Sequence, residues 1–471
     1  MRYQQQWFHN IRGDILAGMV VALALIPEAI AFSILAGIDP MVGLYASFTI
    51  AIICAFFGGR PAMISAATGA MALVIVSLVK EHGLQYLLAA TILTGIIQII
   101  FGYLKVAKLM RFIPNSVMIG FVNSLAILVF MAQLPHFINV TWISYVFAGA
   151  TIALIYIIPK LIKGIPAPLI TVVLLTPLAI YLSVDMKNVG DLGTISQSLP
   201  TFFIPDVPFN FETLQIILPY ALALAVVGLM ESLLTASILD DMTDTPSDKN
   251  KEARGQGIAN FVNGFFGGMA GCAMIGQSVI NVRSGGRGRL STFVSGAFLM
   301  FLILVLGDYV VSIPMPVLAG IMVTVCIAQF DWSSFHYIRT APRADVIVML
   351  ATVALVVWTH NLAIGVIGGV FISAMFFAAK ISKLRIERIS TKVIVHGQLF
   401  FASTEQLVKA IDAMEFHDTN VTLDFSNSQL WDDSAVACVM RIEEMLKKSN
   451  CTLTVIGVNA SGKELLAKYH L

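Results

Sequence analysis

Ile113-Pro114-Asn115-Ser116-Val117-Met118-Ile119-Gly120 returns 200 residues later as Ile313-Pro314-Met315-Pro316-Val317-Leu318-Ala319-Gly320, and each copy leads to an Ala-Gln pair, Ala132-Gln133 and Ala328-Gln329. Gly58-Gly59 and Gly267-Gly268 repeat in the same way at an offset of 209. Around these landmarks the chain is a succession of apolar runs near or above the ~18 residues that cross a bilayer. Broken at polar and Gly/Pro positions, they give fourteen spans, approximately 14–38, 41–57, 62–79, 84–104, 113–134, 142–159, 165–184, 213–239, 255–270, 272–283, 290–310, 314–330, 344–359 and 361–379. The IPxxVxxG copies open the fifth and twelfth spans, and the double glycines precede the third and tenth. Both pairs are seven spans apart. An odd number of crossings turns one half upside down relative to the other, so the sequence predicts a seven-plus-seven inverted repeat, the construction of many secondary transporters.

Composition agrees. Of 471 residues, 58% are hydrophobic and 12% charged, against roughly 45–50% and about 25% in soluble domains. Soluble cytosolic, secreted and nucleic-acid-binding readings are excluded, and a polytopic helical membrane protein is expected. The formal net charge of +1 carries no message; the placement of the charges does. With fourteen spans, sixteen Lys and Arg fall on the N-terminal side (Arg2, Arg12, Arg60, Lys105, Lys108, Arg111, Lys160, Lys163, Lys249, Lys251, Arg254, Arg283, Arg287, Arg289, Arg339 and Arg343) and two, Lys80 and Lys187, on the other. That asymmetry predicts both termini in the cytoplasm and a multi-pass protein of the inner cell membrane. The polar N-terminal stretch MRYQQQWFHNIRGD, with no small-residue cleavage site after the apolar run that follows, reads as no signal peptide. Cys54, Cys272, Cys326, Cys438 and Cys451 have no ligand spacing and read as reduced, buried small hydrophobes.

From about Leu384 the chain turns charged and alternating. KVIVHGQLFFAS, VTLDFS and CTLTVIGVN read as strands, and EQLVKAIDAM and DSAVACVMRIEEMLKKS as amphipathic helices. The expected organisation is a transporter domain over 1–383 and a small α/β domain over 384–471. The latter carries no Gly-rich phosphate loop, Gly457 to Gly462 being the place to look for one.

The third and tenth spans read as extended backbone running into helices that start inside the membrane. Such backbone is tolerated where it lines a cavity, and short interrupted spans at matching places in two halves point to the substrate. Two helix N-termini there would present free N–H groups and positive dipole ends to an anion. Glu28, after Pro27, and Glu231, in GLMESLLTAS, are the carboxylates near mid-membrane and are functional candidates on cost alone. Glu231 has Thr235 one turn on, an (i, i+4) oxygen pair suited to Na⁺ or a relayed proton. A membrane potential negative inside opposes anion entry by ~2.3 kcal/mol per charge per 100 mV, so uptake needs a coupled cation. Asp240, Asp241 and Asp308 sit at span ends and read as solvated. The eight histidines make no (i, i+3) or (i, i+4) pair, and no catalytic array or cofactor motif is evident, so no enzyme is expected.

ALIPEAIAFSILAGIDPMVGLYAS, GGRPAMISAATGAM, GLMESLLTAS, GGMAGCAMIGQSVINVRSGGRGRLS and the C-terminal α/β unit together resemble the SulP family of inorganic anion transporters. The resemblance covers essentially the whole chain with its motifs in order. It implies a core of spans one to four and eight to eleven moving against a gate of spans five to seven and twelve to fourteen, an anion between half-helices three and ten, a short cytoplasmic STAS domain and a homodimer. By position it places the anion at Ser65, Ala66, Ala67 and Thr68 and at Ala273, Met274, Ile275, Gly276, Gln277 and Ser278, and the coupling cation at Glu231 and Thr235, with Glu28 as an accessory. Many members carry arginine where Gln277 stands, which disfavours a doubly charged substrate here. Glu231 replaces the Asp of similar bicarbonate carriers, which favours a proton over Na⁺. In the stretch from Leu423 to Ser434, which resembles the loop bearing a phosphorylatable serine in anti-sigma antagonists, Asp433 takes the serine's place, with Ser434 adjacent.

The expectation is therefore a secondary active importer of an inorganic anion, sulfate first and bicarbonate close behind, coupled to H⁺ or Na⁺ by an elevator movement, with no cofactor and with a cytoplasmic regulatory partner possible at the STAS domain. Its rivals are a Na⁺:bicarbonate symporter, a nucleobase:cation symporter, and an anion-sensing receptor that signals through the STAS domain.

Overall fold

The computed structural model describes residues 3–162, 165–417 and 419–467; Arg2, Lys163 and His470 lie outside them. The chain forms two compact units, Met1–Gly369 and Val370–Leu471.

All fourteen expected spans have a counterpart. After the short α1 (Tyr3–Phe8), the first seven are α2 (Ile11–Leu35), α3 (Pro40–Phe57), strand β1 (Ser65–Ala67) with α4 (Gly69–His82), α5 (Leu84–Tyr103), α6 (Asn115–Gln133), α7 (Trp142–Leu161) and α8 (Ala167–Tyr181). The second seven are α9 (Phe211–Thr243), α10 (Lys249–Phe265), strand β2 (Gly271–Ala273) with α11 (Ile275–Arg283), α12 (Arg289–Val311), α13 (Met315–Gln329), α15 (Arg343–Thr359) and α16 (Leu362–Ile381), with α14 (Ser334–Thr340) between α13 and α15. Among the described residues, nine helical stretches are individually long and apolar enough to cross a membrane. The third and tenth spans are not, because each spends its first part as a strand. The ninth begins six residues before the expected start, at Lys249. Asp248 caps it there, its carboxylate accepting from the N–H groups of Asn250 and Lys251.

The inversion is written into the packing. Exchanging each span for its partner seven places away maps one set of contacts onto another. α5 packs on α10 as α12 packs on α3; α12 on α2 as α5 on α9; α6 on α15 as α13 on α7; and α4 on α9 as α11 on α2. β1 and β2, the equivalent strands of the two halves, pair antiparallel, Ser65 with Ala273, Ala66 with Cys272 and Ala67 with Gly271. Parallel strands would contradict an inverted repeat. Glycines make the crossing of α5 and α10. A Cβ on Gly257 would lie 2.6 Å from Ile99 N on α5, so α5 and α10 meet backbone to backbone.

The loops at one membrane face, the face on which α2 starts, are tied by buried charges. Glu252 accepts from the backbone N–H groups of Gly59 (2.7 Å) and Arg60 (2.9 Å). Arg289 donates to Ala55 O and Gly58 O at the end of α3, and Arg60 donates to Leu239 O near the end of α9. Arg289 thus satisfies carbonyls that the C-terminus of α3 leaves open, while Leu239 O also accepts from the Thr243 hydroxyl. Asp240, expected to be solvated, is instead half-buried between Arg60 (3.3 Å) and Lys249 (2.7 Å), because Arg60 folds inward to reach α9.

The second unit holds a four-stranded sheet in the order β3 (Arg385–Ile389), β4 (Lys392–Leu399), β5 (Asn420–Leu430), β6 (Thr452–Ile456); β3 and β4 are antiparallel and the rest parallel. Helices α17 (Thr404–Asp412) and α18 (Asp433–Lys448) join the parallel strands, and α19 (Ala460–Ala467) follows β6. Val393, Val395, Leu399, Val421, Leu423 and Phe425 pack against Leu407, Ile411, Val436 and Val439 as its core. The edge strand β3 and α19 were not anticipated from the sequence. Most of the serine-loop look-alike, Leu423 to Leu430, is strand β5; Asp432 caps α18 and Asp433 is its first residue. Gly457, at φ +76°, packs against the Asp424 carboxylate and Ser426, so an acid occupies the position considered for a phosphate loop.

Candidate anion-binding site

Strand alternation decides which side chains of β1 and β2 look into the protein and which look toward the cavity. Ser65 turns to α10, where its hydroxyl accepts from Gln256 Nε2, itself bonded to Glu252. Cys272 and Thr68 fall on the other face. The strands' remaining polar groups are satisfied from neighbouring helices: Asn260 bonds both the N–H and the carbonyl of Gly271, Ser232 accepts from Ala273 N, and Ser278 accepts from Ile64 N. This is how backbone that is neither helical nor wetted persists at membrane depth.

Both half-helices begin at one cavity of about 600 Å³. Thr68 is the N-cap of α4, and its hydroxyl accepts weakly from Met71 N at 3.4 Å; α11 starts at Met274 with no side-chain cap. The backbone N–H groups of Gly69, Ala70, Ile275, Gly276 and Gln277 consequently have no acceptor among the described residues, and all five residues line the cavity. A Cβ on Gly276 would meet nothing within 4 Å, so that backbone is open to a ligand. Five free donors at two positive dipole ends make a cradle whose chemistry suits an anion.

The rest of the lining is unusual for one. Glu28, Glu231 and Asp331 line it, while lysine, arginine and histidine are absent from its described lining. Gln277 Nε2 donates to Glu28 Oε1 at 2.8 Å, and Cys272 Sγ donates to Glu231 Oε2 at 3.1 Å. The mouth is formed by Asn115 at the start of α6, Tyr156 near the end of α7, Pro168 at the start of α8 and Gln329 and Asp331 at and beyond the end of α13. By the alternation of spans these ends share the face on which α2 starts, so the lining extends toward that face.

The expected site residues thus divide. Thr68, Met274, Ile275, Gly276, Gln277, Glu231 and Glu28 line the cavity. Ser65, Ala66, Ala67, Ala273 and Ser278 lie in or beside the strands, and build the floor rather than the lining. Thr235 donates to Glu231 O, the carbonyl one turn back, at 2.7 Å, so its hydroxyl hydrogen is committed to its own helix. Cys272 was read as filler and stands in the site, between Glu231 and Thr68. Its parity with Met274 along β2 was the available signal.

The sulfate permease family matches residues 11–146 and 136–352, and the domain described as "Mlab, STAS domain" matches residues 382–471. The "Putative sulfate transporter YbaR" of Bacillus subtilis (strain 168) is 58% identical over 469 residues, 98% of this chain and 98% of its own. The bicarbonate transporter BicA of a Picosynechococcus species is 30% identical over 85% of this chain and 76% of its own. The solved transmembrane domain of a cyanobacterium bicarbonate transporter BicA superposes with a TM-score of 0.69 at 28% identity, covering 78% of this chain and 98% of that one. Murine Solute Carrier 26 family member A9 superposes with a TM-score of 0.84 at 18% identity, over 97% of this chain and 87% of that one; that likeness is one of fold.

Proposed function

We propose that this chain, which belongs to the sulfate permease family, imports an inorganic anion, sulfate before bicarbonate, in symport with H⁺ or Na⁺. The observation that carries the reading is the group of five unpaired N–H donors at the two half-helix N-termini, all lining one cavity. An anion seated there accepts from Gly69, Ala70, Ile275, Gly276 and Gln277 and from the Thr68 hydroxyl. These groups are fixed by the paired strands beneath them, so little ordering is needed when the anion arrives.

Among the described residues the cavity lining carries carboxylates and no cationic side chain, so the anion needs a positive partner on entry. Glu231 is the place for it, beside the Thr68 cap rather than in the anion's seat. Binding of the cation cancels the charge of Glu231, which lessens the repulsion and reduces the net negative charge carried through the membrane field. We assign the movement to a core of spans one to four and eight to eleven, which holds both half-helices, against a gate of spans five to seven and twelve to fourteen, within a transporter domain over 1–383. Both termini and the domain over 384–471 are placed in the cytoplasm, in an inner-membrane homodimer.

Bicarbonate is the second reading, and the Gln277–Glu28 pair favours it. A dianion has no fixed positive charge to meet, and one of its donors is already bonded to a carboxylate. Labelled sulfate uptake into proteoliposomes, with unlabelled bicarbonate as competitor and Na⁺ and H⁺ gradients imposed separately, tests both. Saturable sulfate uptake driven by one gradient supports the first reading, and bicarbonate transport without sulfate transport selects the second. Glu231→Gln should then transport without following either gradient.

A further inference from the structure

Three side chains from three different elements form an unbroken chain at the edge of the cavity. Glu231 Oε2 on α9 lies 3.1 Å from Cys272 Sγ on β2, and Cys272 Sγ lies 3.1 Å from Thr68 Oγ1 at the start of α4. All three are buried, and Glu231 and Thr68 line the cavity. The thiol is the only link between the carboxyl and the anion cradle that the hydrogen bonds of the described residues provide.

We propose that Cys272 is a positioning residue that couples the cation at Glu231 to the anion at Thr68, by reversing the direction of this hydrogen-bond chain. The inference rests on the half-helix anion site above and names how that site is regulated.

A thiol has one hydrogen and can also accept, and a threonine hydroxyl likewise. While Glu231 is an empty carboxylate, the thiol hydrogen points to Oε2. Cys272 sulfur then takes the hydroxyl hydrogen of Thr68, and Thr68 has nothing left to donate to an anion. When a cation sits on Oε2, the thiol can no longer point there. With a proton, the carboxyl itself donates to sulfur; with Na⁺, the positive charge repels the S–H. In either case the thiol hydrogen swings to Thr68 Oγ1, which keeps its Met71 N–H contact and turns its own hydrogen toward the cavity. No proton passes through sulfur: the cation comes from solvent and the hydrogens only rotate. Cation and anion each favour the same arrangement, so each strengthens the other's binding by the same factor.

The surroundings leave this chain in control. Across the cavity α2 contributes Glu28, which is held by Gln277. α5 packs on α9 and carries no charged residue. The charges of α4 (Lys80, Glu81, His82) lie in its last turn, those of α10 in its first two turns, and Arg283 ends α11. On α9 itself, Asp240 is paired with Arg60 and Lys249.

The test is the coupling factor, defined as the ratio of anion KM without the coupling cation to KM at its saturation. It is measured for sulfate and bicarbonate uptake by the full chain in proteoliposomes, varying Na⁺ at fixed pH and pH without Na⁺. Wild type should show at least a fivefold factor with one cation, the lower end of typical couplings. Cys272→Ala should lower the factor by about twofold or more by losing the high KM of the unloaded state, since Thr68 then keeps its hydrogen for the anion and only the charge effect at Glu231 remains, and Cys272→Ser, which keeps a donor and acceptor, should restore it. A wild-type factor in Cys272→Ala, or a Cys272→Ser variant as flat as Cys272→Ala, overturns the relay. Gly276→Leu separates the two levels, since its side chain enters open space in the cradle and should block uptake while eluting as monodisperse protein. If Gly276→Leu is blocked and Cys272→Ala keeps its coupling, only the relay fails. If Gly276→Leu transports normally, or wild type moves neither anion, the half-helix reading fails and the relay with it.

Discussion

Gln277 Nε2 donates to Glu28 Oε1 across 2.8 Å, joining the first turn of α11 to the middle of α2 on the wall of the cavity. The bond orients the amide, leaving Gln277 Oε1 without a partner among the described residues, and places a carboxylate beside the cradle. Glu28→Gln retains an acceptor for the amide and removes the charge. At a separation of roughly 8 Å and an effective dielectric of about 20, one charge repels another by about 2 kcal/mol. Sulfate KM in Glu28→Gln should therefore fall about tenfold or more, and the fall should be smaller for bicarbonate. Equal KM values for wild type and variant would mean that Glu28 is uncharged when the anion binds.

Thr68 does two things that a single substitution separates by readout. As N-cap of α4 it contributes to stability, typically about 1 kcal/mol, and as a hydroxyl on the cavity wall it stands where the proposed anion would accept from it. Thr68→Val preserves shape and loses both. The expected result is a modest drop in thermal stability together with an anion KM raised roughly ten- to hundredfold, as the loss of a hydrogen bond to a charged group gives. Thr68→Ser should restore both. A Thr68→Val protein with normal KM would remove the hydroxyl from the site.

Much of this site can be read from the chain because its residues break the rules of their surroundings. Glu28, Glu231 and Gln277 are polar in apolar runs, and the double glycines mark where helix gives way to strand. What the sequence conceals is orientation. Ser65 and Thr68 look equivalent as hydroxyls beside Ala66 and Ala67, yet a strand of alternating faces sends Ser65 to Gln256 and leaves Thr68 at the cavity. Cys272 is apolar by habit, and only its partners make it polar. Asp240 reads as a solvated end and Arg60 and Arg289 as topological charge, and Glu252 draws no reading, because partners such as Arg289 and Gly58 stand 231 residues apart. In the second unit β3 was missed since its Arg385-Ile386-Glu387-Arg388 composition is that of an exposed edge, charged as edge strands tend to be.

Asp424 in β5 receives the Lys392 ammonium at 2.7 Å and the N–H and hydroxyl of Ser426. These hold its carboxyl down to about 2. A carboxylate depressed in the folded state stabilises that state above its unfolded pKa, about 3.9, and the contribution disappears as pH falls through the folded value. The C-terminal sheet should thus resist acid until well below pH 4. Lys392→Met removes the main cause and should move the loss upward. Pepsin cleavage between residues 420 and 430 of the detergent-solubilised chain, followed from pH 4 to pH 2, reads this directly. Cleavage should begin at higher pH in Lys392→Met; identical onsets would show that the ion pair does not hold the strand.

Glu252 accepts from Gly59 N, Arg60 N and Gln256 Nε2 at 2.7, 2.9 and 2.9 Å, with its carboxylate fully enclosed. Gln256 passes the constraint on to Ser65, the first residue of the strand beneath the cradle. In Glu252→Gln one oxygen becomes an NH₂ that faces donors, so at least one N–H loses its acceptor and the remaining bonds lose their charge. Removing one partner of such a buried arrangement costs on the order of 3 kcal/mol. Asp248→Ala, which removes only the α10 cap on the same loop, should cost about 1 kcal/mol. Thermal unfolding in detergent should therefore rank wild type above Asp248→Ala above Glu252→Gln. Anion KM should rise in Glu252→Gln alone, because Glu252, unlike Asp248, is tied through Gln256 to β1. A Glu252→Gln protein as stable as Asp248→Ala would locate the support of the cradle elsewhere, in the Asn260 clamp on Gly271.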